Sequence, residues 1–471
     1  MLADTKCCAK GEGGGEHVNP YSVGTLTYTK ASMLALMLLL LWGDFCFMIM
    51  EVVVPGVMPL TLRTLDAPNW LIGMFLVTIP NIFNATVCPA VSFRSDRHRS
   101  PHGRRIPFLR FATPFLALFL ALIGGAPHLA AWATRIGLFT NERIVTLVMI
   151  GVFIVGFQFF NMIVASVYYY LFNDVVPQQY LGRFLGVFRF VGIIAQSTFY
   201  FFIFPHAESH SAIIFCGAAV LYLVAFSLMC KNVKEGEYPP PEDAPATVRA
   251  GVRIYIKECF SNRFYWLFYI SYSLWAASLT IGVFVVFFAK SVGLSLAQYG
   301  AYSGTVSLIA AVLLIPCGYL ADRIHPLRTM RIAVTALAFV GILPLVFLFF
   351  PVPKHLAFPV WCVVFGAAIP FLALYTASEL PAFMRLLPKD RYGQFSSAAS
   401  LVRSLAALTG GLLGGLMIDW ARGWNSDPDV GYRYIPFWYV TLQGLSATGL
   451  WLLYREWQKL GGDKSYVPPD V

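Results

Sequence analysis

The chain has 471 residues, of which 58% are hydrophobic and 12% are charged, and its formal net charge is +10. Soluble domains carry about 25% charged residues, so this composition excludes a water-soluble protein of this size. The basic residues lie in short stretches between apolar segments, which argues against nucleic-acid binding and favours a membrane protein with charged loops.

The apolar residues form blocks of about 20 residues, the length that crosses ~30 Å of hydrocarbon as a helix. Their runs are continuous, which favours helices over the alternating strands of a β-barrel. The polar first 30 residues show no cleavable signal peptide. Twelve spanning helices are therefore predicted, over 32–60, 70–91, 108–126, 144–172, 184–204, 211–230, 264–289, 298–320, 332–351, 356–384, 394–418 and 435–454.

Lysine and arginine are distributed unequally between the two sets of loops. Most of them lie in the two tails, in the loops that follow spans two, four, eight and ten, and in the central segment 231–263. By the positive-inside rule, both termini are predicted to be cytoplasmic. The chain is expected to be a multi-pass protein of the plasma or inner membrane.

The central segment 231–263 divides the chain. It contains Pro239-Pro240-Pro241 and then an amphipathic run from Val248 to Phe260, which is typical of a flexible linker followed by a surface helix. The predicted organisation is a cytoplasmic tail, a six-helix bundle, a cytoplasmic linker, a second six-helix bundle and a cytoplasmic tail, over 1–31, 32–230, 231–263, 264–454 and 455–471.

Charged loops recur at corresponding places in the two halves. Ser95–Phe108, with the sequence S-D-R-H-R-S-P-H-G-R-R-I-P-F, follows span two, and Asp322-Arg323 follows span eight. Val176–Phe184 follows span four as Leu387–Phe395 follows span ten. Two six-helix halves with matching loops are typical of transporters whose binding site lies near the middle of the membrane.

The loop Ser95–Phe108 and the pair Asp322-Arg323 resemble the signature loops of the major facilitator superfamily. The pattern S-D-R-x-x-S-x-x-G-R-R-x-P-F is similar to that of the sucrose-transporter-like proteins and of the glycoside–cation symporters. The resemblance implies an all-α membrane protein, with twelve transmembrane helices in two pseudo-symmetric six-helix bundles. It also implies that helices one, four, seven and ten line a central cavity.

The implied function is secondary active transport of a small polar solute, a sugar or glycoside, by alternating access with proton symport. One feature departs from the plant-type sucrose carriers. Gln158 and Tyr169 stand where those carriers place an acid and an arginine within helix four. A different proton site, or none, is therefore expected.

Ionisable residues at membrane depth are costly and are functional by default. Asp44 and Glu51 lie two helical turns apart on one face of span one, and Arg189 lies on span five. Asp44 is predicted to take up and release the coupling proton, with Glu51 and Arg189 as further members of the proton site. The alternative is that Asp44 is a permanent partner of Arg189.

A sugar requires polar side chains for its hydroxyls and aromatic faces for its C–H surfaces. Helix–helix packing and interhelical hydrogen bonds are the alternative roles of such residues. The candidate substrate-binding residues, which form polar and aromatic stripes on apolar helices, are Asn81, Asn84, Gln158, Asn161, Gln196, Tyr269, Tyr272, Trp275 and Tyr375.

The charged loops are candidates for conformational control. They either cap helix ends and pair locally, or form latches that close in one state and open in the other. Glu379 and Arg403 lie toward the inner ends of spans ten and eleven. They are expected to form either an inner gate or a structural ion pair. The candidate gating residues are Asp96, Arg97, Arg104, Arg105, Asp322, Arg323, Glu379 and Arg403.

Enzyme signatures are missing from the sequence. It contains no P-loop, H-E-x-x-H or G-x-S-x-G motif, so no catalytic residue, metal site or cofactor is predicted. The expected partners are a small-molecule substrate, a proton and membrane lipids, with the chain acting as a monomer. A drug–proton antiporter or another exporter of the same superfamily is the main alternative, and a sensor or scaffold without transport is the second.

Overall fold

The computed structural model describes residues 21–237 and 255–469. The tail residues 1–20 and the linker residues 238–254, which include most of the predicted amphipathic run, lie outside the described residues. The described part begins with a two-stranded antiparallel hairpin of β1 (Ser22–Val23) and β2 (Leu26–Thr27), in which Ser22 pairs with Thr27. Residues 255–260 of the linker are helical.

Twelve long helices follow the hairpin. Eleven are long and apolar enough to cross a membrane, and the twelfth is 25 residues long. They are α1 (Lys30–Thr64), α2 (Asn69–Arg97), α3 (Ile106–Arg135), α4 (Glu142–Val175), α5 (Gln178–His206), α6 (Ser211–Asn232), α7 (Arg263–Ser291), α8 (Leu296–Arg323), α9 (Pro326–Phe349), α10 (Lys354–Leu386), α11 (Tyr392–Trp424) and α12 (Ile435–Lys459).

Each predicted span overlaps one of these helices, so the predicted all-α membrane architecture is confirmed. The helices are longer than the apolar runs that predicted them. α3, for example, continues to Arg135 through a segment that was expected to be a loop. Besides the helical residues 255–260, shorter helical segments lie between or after the long helices at Lys389–Arg391, Pro428–Tyr434 and Gly462–Ser465.

The chain divides into two compact units. Unit 1 comprises Met1–Leu65 and Phe83–Asp243, and unit 2 comprises Asp66–Ile82 and Ala244–Val471. The first part of α2 therefore groups with the second half of the chain, whereas the rest of α2 groups with the first half. The division into two six-helix bundles stays a prediction.

Unit 1 has an aromatic core between α1, α4 and α6. The rings of Phe47 and Tyr168 lie 5.6 Å apart, and those of Tyr222 and Phe226 lie 4.3 Å apart. The Tyr168 hydroxyl donates a hydrogen bond of 3.0 Å to the carbonyl of Leu40. α3 packs against α4 and α6, and α1 packs against α5 and α6.

Unit 2 is organised around α7, which packs against α11 and α12, while α10 packs against α8 and α9. Its core is rich in aromatic rings that are nearly or fully buried, among them Tyr265, Phe268 and Trp457. Burying such large side chains stabilises the unit, because each ring removes a large area from solvent or lipid.

A carboxylate fixes the first turn of α2 to α11 within unit 2. Asp419 accepts hydrogen bonds from the backbone N–H groups of Asn69 (3.1 Å) and Trp70 (3.0 Å), and from the Asn69 side-chain amide (2.7 Å). The Tyr432 hydroxyl donates to Oδ1 of Asn69 at 2.9 Å. These contacts satisfy N–H groups that a helix start leaves without an intrahelical acceptor. We refer to Asn69, Trp70, Asp419 and Tyr432 as the α2–α11 clasp.

Glycines allow the helices of the clasp to approach closely. A Cβ atom on Gly73 would lie 2.1 Å from the carbonyl oxygen of Gly411, and one on Gly415 would lie 2.5 Å from that of Asn69. Since Cβ atoms do not approach oxygen atoms so closely, any larger residue would push the two helices apart.

Replacing Asp419 with alanine is expected to lower the free energy of unfolding by about 1–3 kcal/mol, because two backbone N–H groups and the side-chain amide of the buried Asn69 lose their acceptor. Thermal or denaturant unfolding of the purified protein in detergent measures this change. Asp429→Ala, at an exposed position in the Pro428–Tyr434 segment, is the matched control and is expected to leave stability unchanged. Equal stability of both variants would show that the clasp contributes nothing.

His325 caps the start of α9. Its Nδ1 atom accepts a hydrogen bond of 3.2 Å from the backbone N–H of Leu327, and its ring lies 4.4 Å from that of Trp457. Burial, reinforced by the nearby Arg385, lowers the pKa of His325 to about 4. The cap requires neutral imidazole, because a protonated Nδ1 cannot accept a hydrogen bond.

The free energy of unfolding is expected to fall as the pH is lowered from about 6.5 to about 4. Over this range the unfolded chain takes up a proton at His325 that the folded chain does not. His325→Asn keeps a capping oxygen but does not titrate, so its unfolding should depend less on pH across this window. A parallel pH dependence of the two proteins would contradict the assignment to His325.

Candidate functional site

Asp44 is a fully buried carboxylate in the middle part of α1. Among the described residues, none donates a hydrogen bond to either of its oxygens. The backbone of α5 lies beside it, since a Cβ atom on Gly192 would be 3.6 Å from Oδ2 of Asp44. Arg189, one turn earlier on α5, is the charged group that interacts electrostatically with Asp44.

The structure thus brings Asp44 beside the turn of α5 that follows Arg189, although Asp44 and Arg189 are 145 positions apart in the sequence. Arg189 has an exposed side chain, whereas Asp44 is buried. A buried carboxylate that accepts no hydrogen bond is costly in its charged form. The geometry therefore suits a group that alternates between a neutral and a charged state.

Glu51 and Asn161 form a second polar contact in unit 1. The Asn161 amide donates a hydrogen bond of 2.6 Å to Oε1 of Glu51. Asn161 is nearly buried, and no described residue donates to its Oδ1 atom. Gln158 is also nearly buried and lies three residues earlier on α4, so the two amides lie on neighbouring positions of one helix face.

The other polar candidates on α2 and α5 are not joined to this pair by any contact among the described residues. The Asn81 amide donates to the carbonyl of Val77 in its own helix, at 2.9 Å. Asn84 is exposed and Gln196 is partly buried. Asn81 groups with unit 2, while Asn84 and Gln196 group with unit 1.

The aromatic candidates of unit 2 lie in its core. Tyr269, Tyr272, Trp275 and Tyr375 are at most 5% exposed. The rings of Trp275 and Tyr375 lie 4.2 Å apart. Packing inside unit 2 therefore accounts for most of the surface of these rings.

Glu379 and Arg403 meet at a tyrosine rather than standing apart. Both side chains interact electrostatically with Tyr272, and the Arg403 guanidinium lies 5.4 Å from the centre of the Tyr272 ring. A tyrosine can attract a guanidinium to its ring face and a carboxylate to its hydroxyl. The three residues form a compact polar group within unit 2.

Two arginines at the end of the loop between α2 and α3, Arg104 and Arg105, bind Asp174 at the end of α4. Arg104 makes two hydrogen bonds to the Asp174 carboxylate, at 2.9 and 2.5 Å, and Nε of Arg105 lies 3.3 Å from the same group. Arg105 also pairs with Asp96 and bonds the Ser95 hydroxyl. The Asp174 side chain is 7% exposed and that of Asp96 is 55% exposed.

Glu235, just after α6, caps the start of α3. Its carboxylate accepts hydrogen bonds from the backbone N–H groups of Arg104, Arg105 and Ile106, at 2.9, 2.8 and 2.6 Å. Burial raises the pKa of Glu235, and these three donors oppose that rise. Gly103 has a φ of +97°, and a Cβ atom there would lie 2.5 Å from Glu235, so only glycine fits.

The remaining gating candidates lie at the surface of their units. The Arg97 guanidinium lies 3.6 Å from the centre of the Phe93 ring. Asp322 and Arg323, at the end of α8, are both exposed. In the described residues Asp96 pairs with Arg105, not with the adjacent Arg97.

Sequence reasoning missed the residues that hold these groups in place. Asp174 and Glu235 each stand at the end of an apolar span near the basic loop, which was the available signal for pairing. Asn69 and Asp419 are polar residues at the ends of apolar runs, which is where helix caps are found. The described residues contain no group of three or more side chains that could hold a metal ion.

The family model of the Major Facilitator Superfamily matches residues 209–411. No curated protein sequence matches the chain. A bacterial homologue of the human lysosomal transporter Spinster, in an inward-facing and unoccupied conformation, is 14% identical, with a TM-score of 0.66 over 92% of this chain and 98% of that chain.

Two further solved structures have similar folds. A variant of the nucleoside transporter NupG is 12% identical, with a TM-score of 0.66 over 89% of this chain and 100% of that chain. A D-xylose–proton symporter is 13% identical, with a TM-score of 0.63 over 89% of this chain and 97% of that chain. The chain therefore has the fold of the major facilitator superfamily, a fold of membrane transporters.

Proposed function

We propose that this protein is a secondary active transporter of the major facilitator superfamily. It moves a small polar solute, a sugar or glycoside, by alternating access, together with protons. The observation that carries the proposal is the buried Asp44 carboxylate, which accepts no hydrogen bond from the described residues and lies against α5 at Gly192, one turn from Arg189, in a transporter fold.

Asp44 is the proton carrier in this mechanism. Protonation removes a charge from a buried site, and deprotonation is favoured when the Arg189 guanidinium is close enough to compensate the carboxylate. A conformational change that alters the separation of α1 and α5 therefore changes the proton affinity of Asp44. This links proton binding to the state of the transporter.

The substrate site in unit 1 is built around Glu51, Asn161 and Gln158. A carboxylate and two amides offer both acceptors and donors, which suits the hydroxyl groups of a sugar. Among the similar structures, one is named a nucleoside transporter and one a D-xylose–proton symporter, and both titles describe polar, hydroxyl-bearing solutes. Asn81, Asn84, Gln196 and the aromatic residues of α7 and α10 are the further candidates.

The gating residues act at the ends of the helices. Arg104 and Arg105 hold the loop between α2 and α3 on α4 through Asp174, which leaves the half-exposed Asp96 available to exchange partners. Asp322 and Arg323 have the corresponding place in unit 2. Glu379, Tyr272 and Arg403 form the inner polar group. Both termini lie in the cytoplasm, and the protein resides in the cell membrane.

Asp44→Asn is expected to abolish accumulation of sugar driven by a pH gradient, because the amide cannot carry a proton. Exchange of labelled for unlabelled sugar needs no net proton movement and should persist. Both are measured with the purified protein in liposomes, using a panel of radiolabelled sugars and nucleosides. Asp429→Asn, at an exposed position, is the control.

Accumulation that survives in Asp44→Asn would overturn the proton assignment. Sugar uptake that ignores the gradient would indicate a facilitator, and extrusion of a lipophilic cation would indicate a drug–proton antiporter. No movement of any solute in the wild-type protein would favour a sensor or scaffold.

Asp174→Ala and Asp96→Asn separate structural pairing from gating. Asp174→Ala removes the carboxylate partner of Arg104 and one of the two carboxylate partners of the buried Arg105, and is expected to cost about 3–5 kcal/mol of stability. Asp96→Asn should leave the unfolding temperature nearly unchanged, because Asp96 is half-exposed, but should lower the transport rate. Unfolding and liposome uptake are measured on the same preparations. Normal uptake by Asp96→Asn would remove the gating role of Asp96.

A further inference from the structure

A polar cavity lies in unit 1, apart from the buried residues of the proposed transport site. Its volume is about 760 Å³. One wall is the loop from Arg99 to Gly103 with the start of α3, and the other is the end of α6 with residues 233–237. The cavity therefore lies where α2 and α6 end and α3 begins, at the edge of three membrane-spanning helices.

The lining is rich in basic side chains. Those that line the cavity are Arg99, His102, Arg110, Lys231 and Lys234. The acidic residues of the lining are Glu235 and Glu237. The Glu235 carboxylate is occupied by three backbone N–H groups at the start of α3. The helix start thus engages the Glu235 carboxylate, and the arginines and lysines of the lining outnumber its two glutamates.

The walls are held in place by hydrogen bonds. The Ser100 hydroxyl donates to the carbonyl of Gly103 at 2.7 Å, and the backbone N–H of Gly103 donates to the carbonyl of Ser100 at 3.0 Å. Arg110 donates to the carbonyl of Cys230 from one Nη atom, at 3.1 Å, which joins α3 to the end of α6. The cavity is therefore a shaped site and not a gap between mobile side chains.

We propose that this cavity binds a phosphate monoester. Guanidinium and ammonium groups arranged around a polar cavity recognise phosphate through charge-assisted hydrogen bonds. Basic pockets at the cytoplasmic ends of membrane helices recognise lipid headgroups in this way. The ligand is either the headgroup of an anionic lipid or a soluble phosphate ester, since both present the same group to these side chains.

A bound phosphate would add a contact between parts of unit 1 that Glu235 and Arg110 also join. Lys231 lies at the end of α6, and His102 lies in the loop that follows the half-exposed Asp96 at the end of α2. Occupancy would thus stabilise the loop between α2 and α3. This site is regulatory rather than a substrate site, and it depends on neither Asp44 nor the identity of the transported solute.

The test is isothermal titration of the full-length protein in detergent with two probes. Dioctanoyl phosphatidic acid presents the phosphate on a lipid, and glycerol 3-phosphate presents it alone. Lys231→Gln, at an exposed position, is expected to bind the effective probe about fivefold more weakly, which corresponds to about 1 kcal/mol per basic side chain. Lys354→Gln, at the exposed start of α10, is the matched control and should bind as the wild type does.

Binding of phosphatidic acid alone identifies a lipid headgroup as the ligand, and equal binding of glycerol 3-phosphate identifies a soluble ester. Arg110→Gln provides a second variant, on the other wall of the cavity. It is expected to weaken binding of the effective probe, and the two losses of affinity should add when Arg110→Gln and Lys231→Gln are combined. The proposal is overturned if neither probe binds, or if both variants bind as tightly as Lys354→Gln. Because the readout is binding, this result is independent of whether the protein transports a sugar.

Discussion

Two helix starts in this protein depend on carboxylates that come from distant parts of the chain. Glu235 accepts three backbone N–H groups at the start of α3, and Asp419 accepts two, with one side-chain amide, at the start of α2. The first amide groups of a helix have no partner within it, and lipid offers none. Each carboxylate therefore fixes both the position of a helix and the segment that supplies it. The placement of the charged loop and of the first part of α2 follows from these two contacts.

In the charged loop between α2 and α3, the Glu235 carboxylate holds the backbone, so the arginine side chains of the loop can pair with other carboxylates. With the start of α3 held by Glu235, Arg104 and Arg105 are directed to Asp174, and the pairing buries Arg105 almost completely. Asp96 shares Arg105 but keeps half of its side chain exposed. In the proposed transporter, the permanent and the exchangeable contacts are thus separated. Asp174 and Glu235 maintain the loop, whereas Asp96 is placed to change partners, much as Asp44 is placed to change its protonation state.

The sequence was sufficient to predict the fold, because continuous apolar runs of membrane length admit few structures other than helices. It also proposed Asp44, Arg189 and Glu51 as candidates for a proton site, since charged residues in apolar runs are conspicuous. The sequence could not show which side chains from distant positions contact each other. The contact of Glu51 with Asn161, and the grouping of Glu379 and Arg403 around Tyr272, depend on helix rotation and packing. Helix starts were misplaced by several residues in places such as α5 and α9, because polar residues extend a helix beyond its apolar part.

The length of α4 has a consequence for the lipid environment. Its 34 residues extend about 51 Å at 1.5 Å per residue, well beyond the ~30 Å of hydrocarbon. Asp174 stands one residue before the end of this helix, so the ionic cluster around it lies at an end that a spanning helix of this length would extend beyond the hydrocarbon. A thicker bilayer would draw those charges toward a medium of lower dielectric constant, where an ion pair costs more to desolvate. Bilayer thickness thereby becomes a physical variable to which this end of the protein is sensitive.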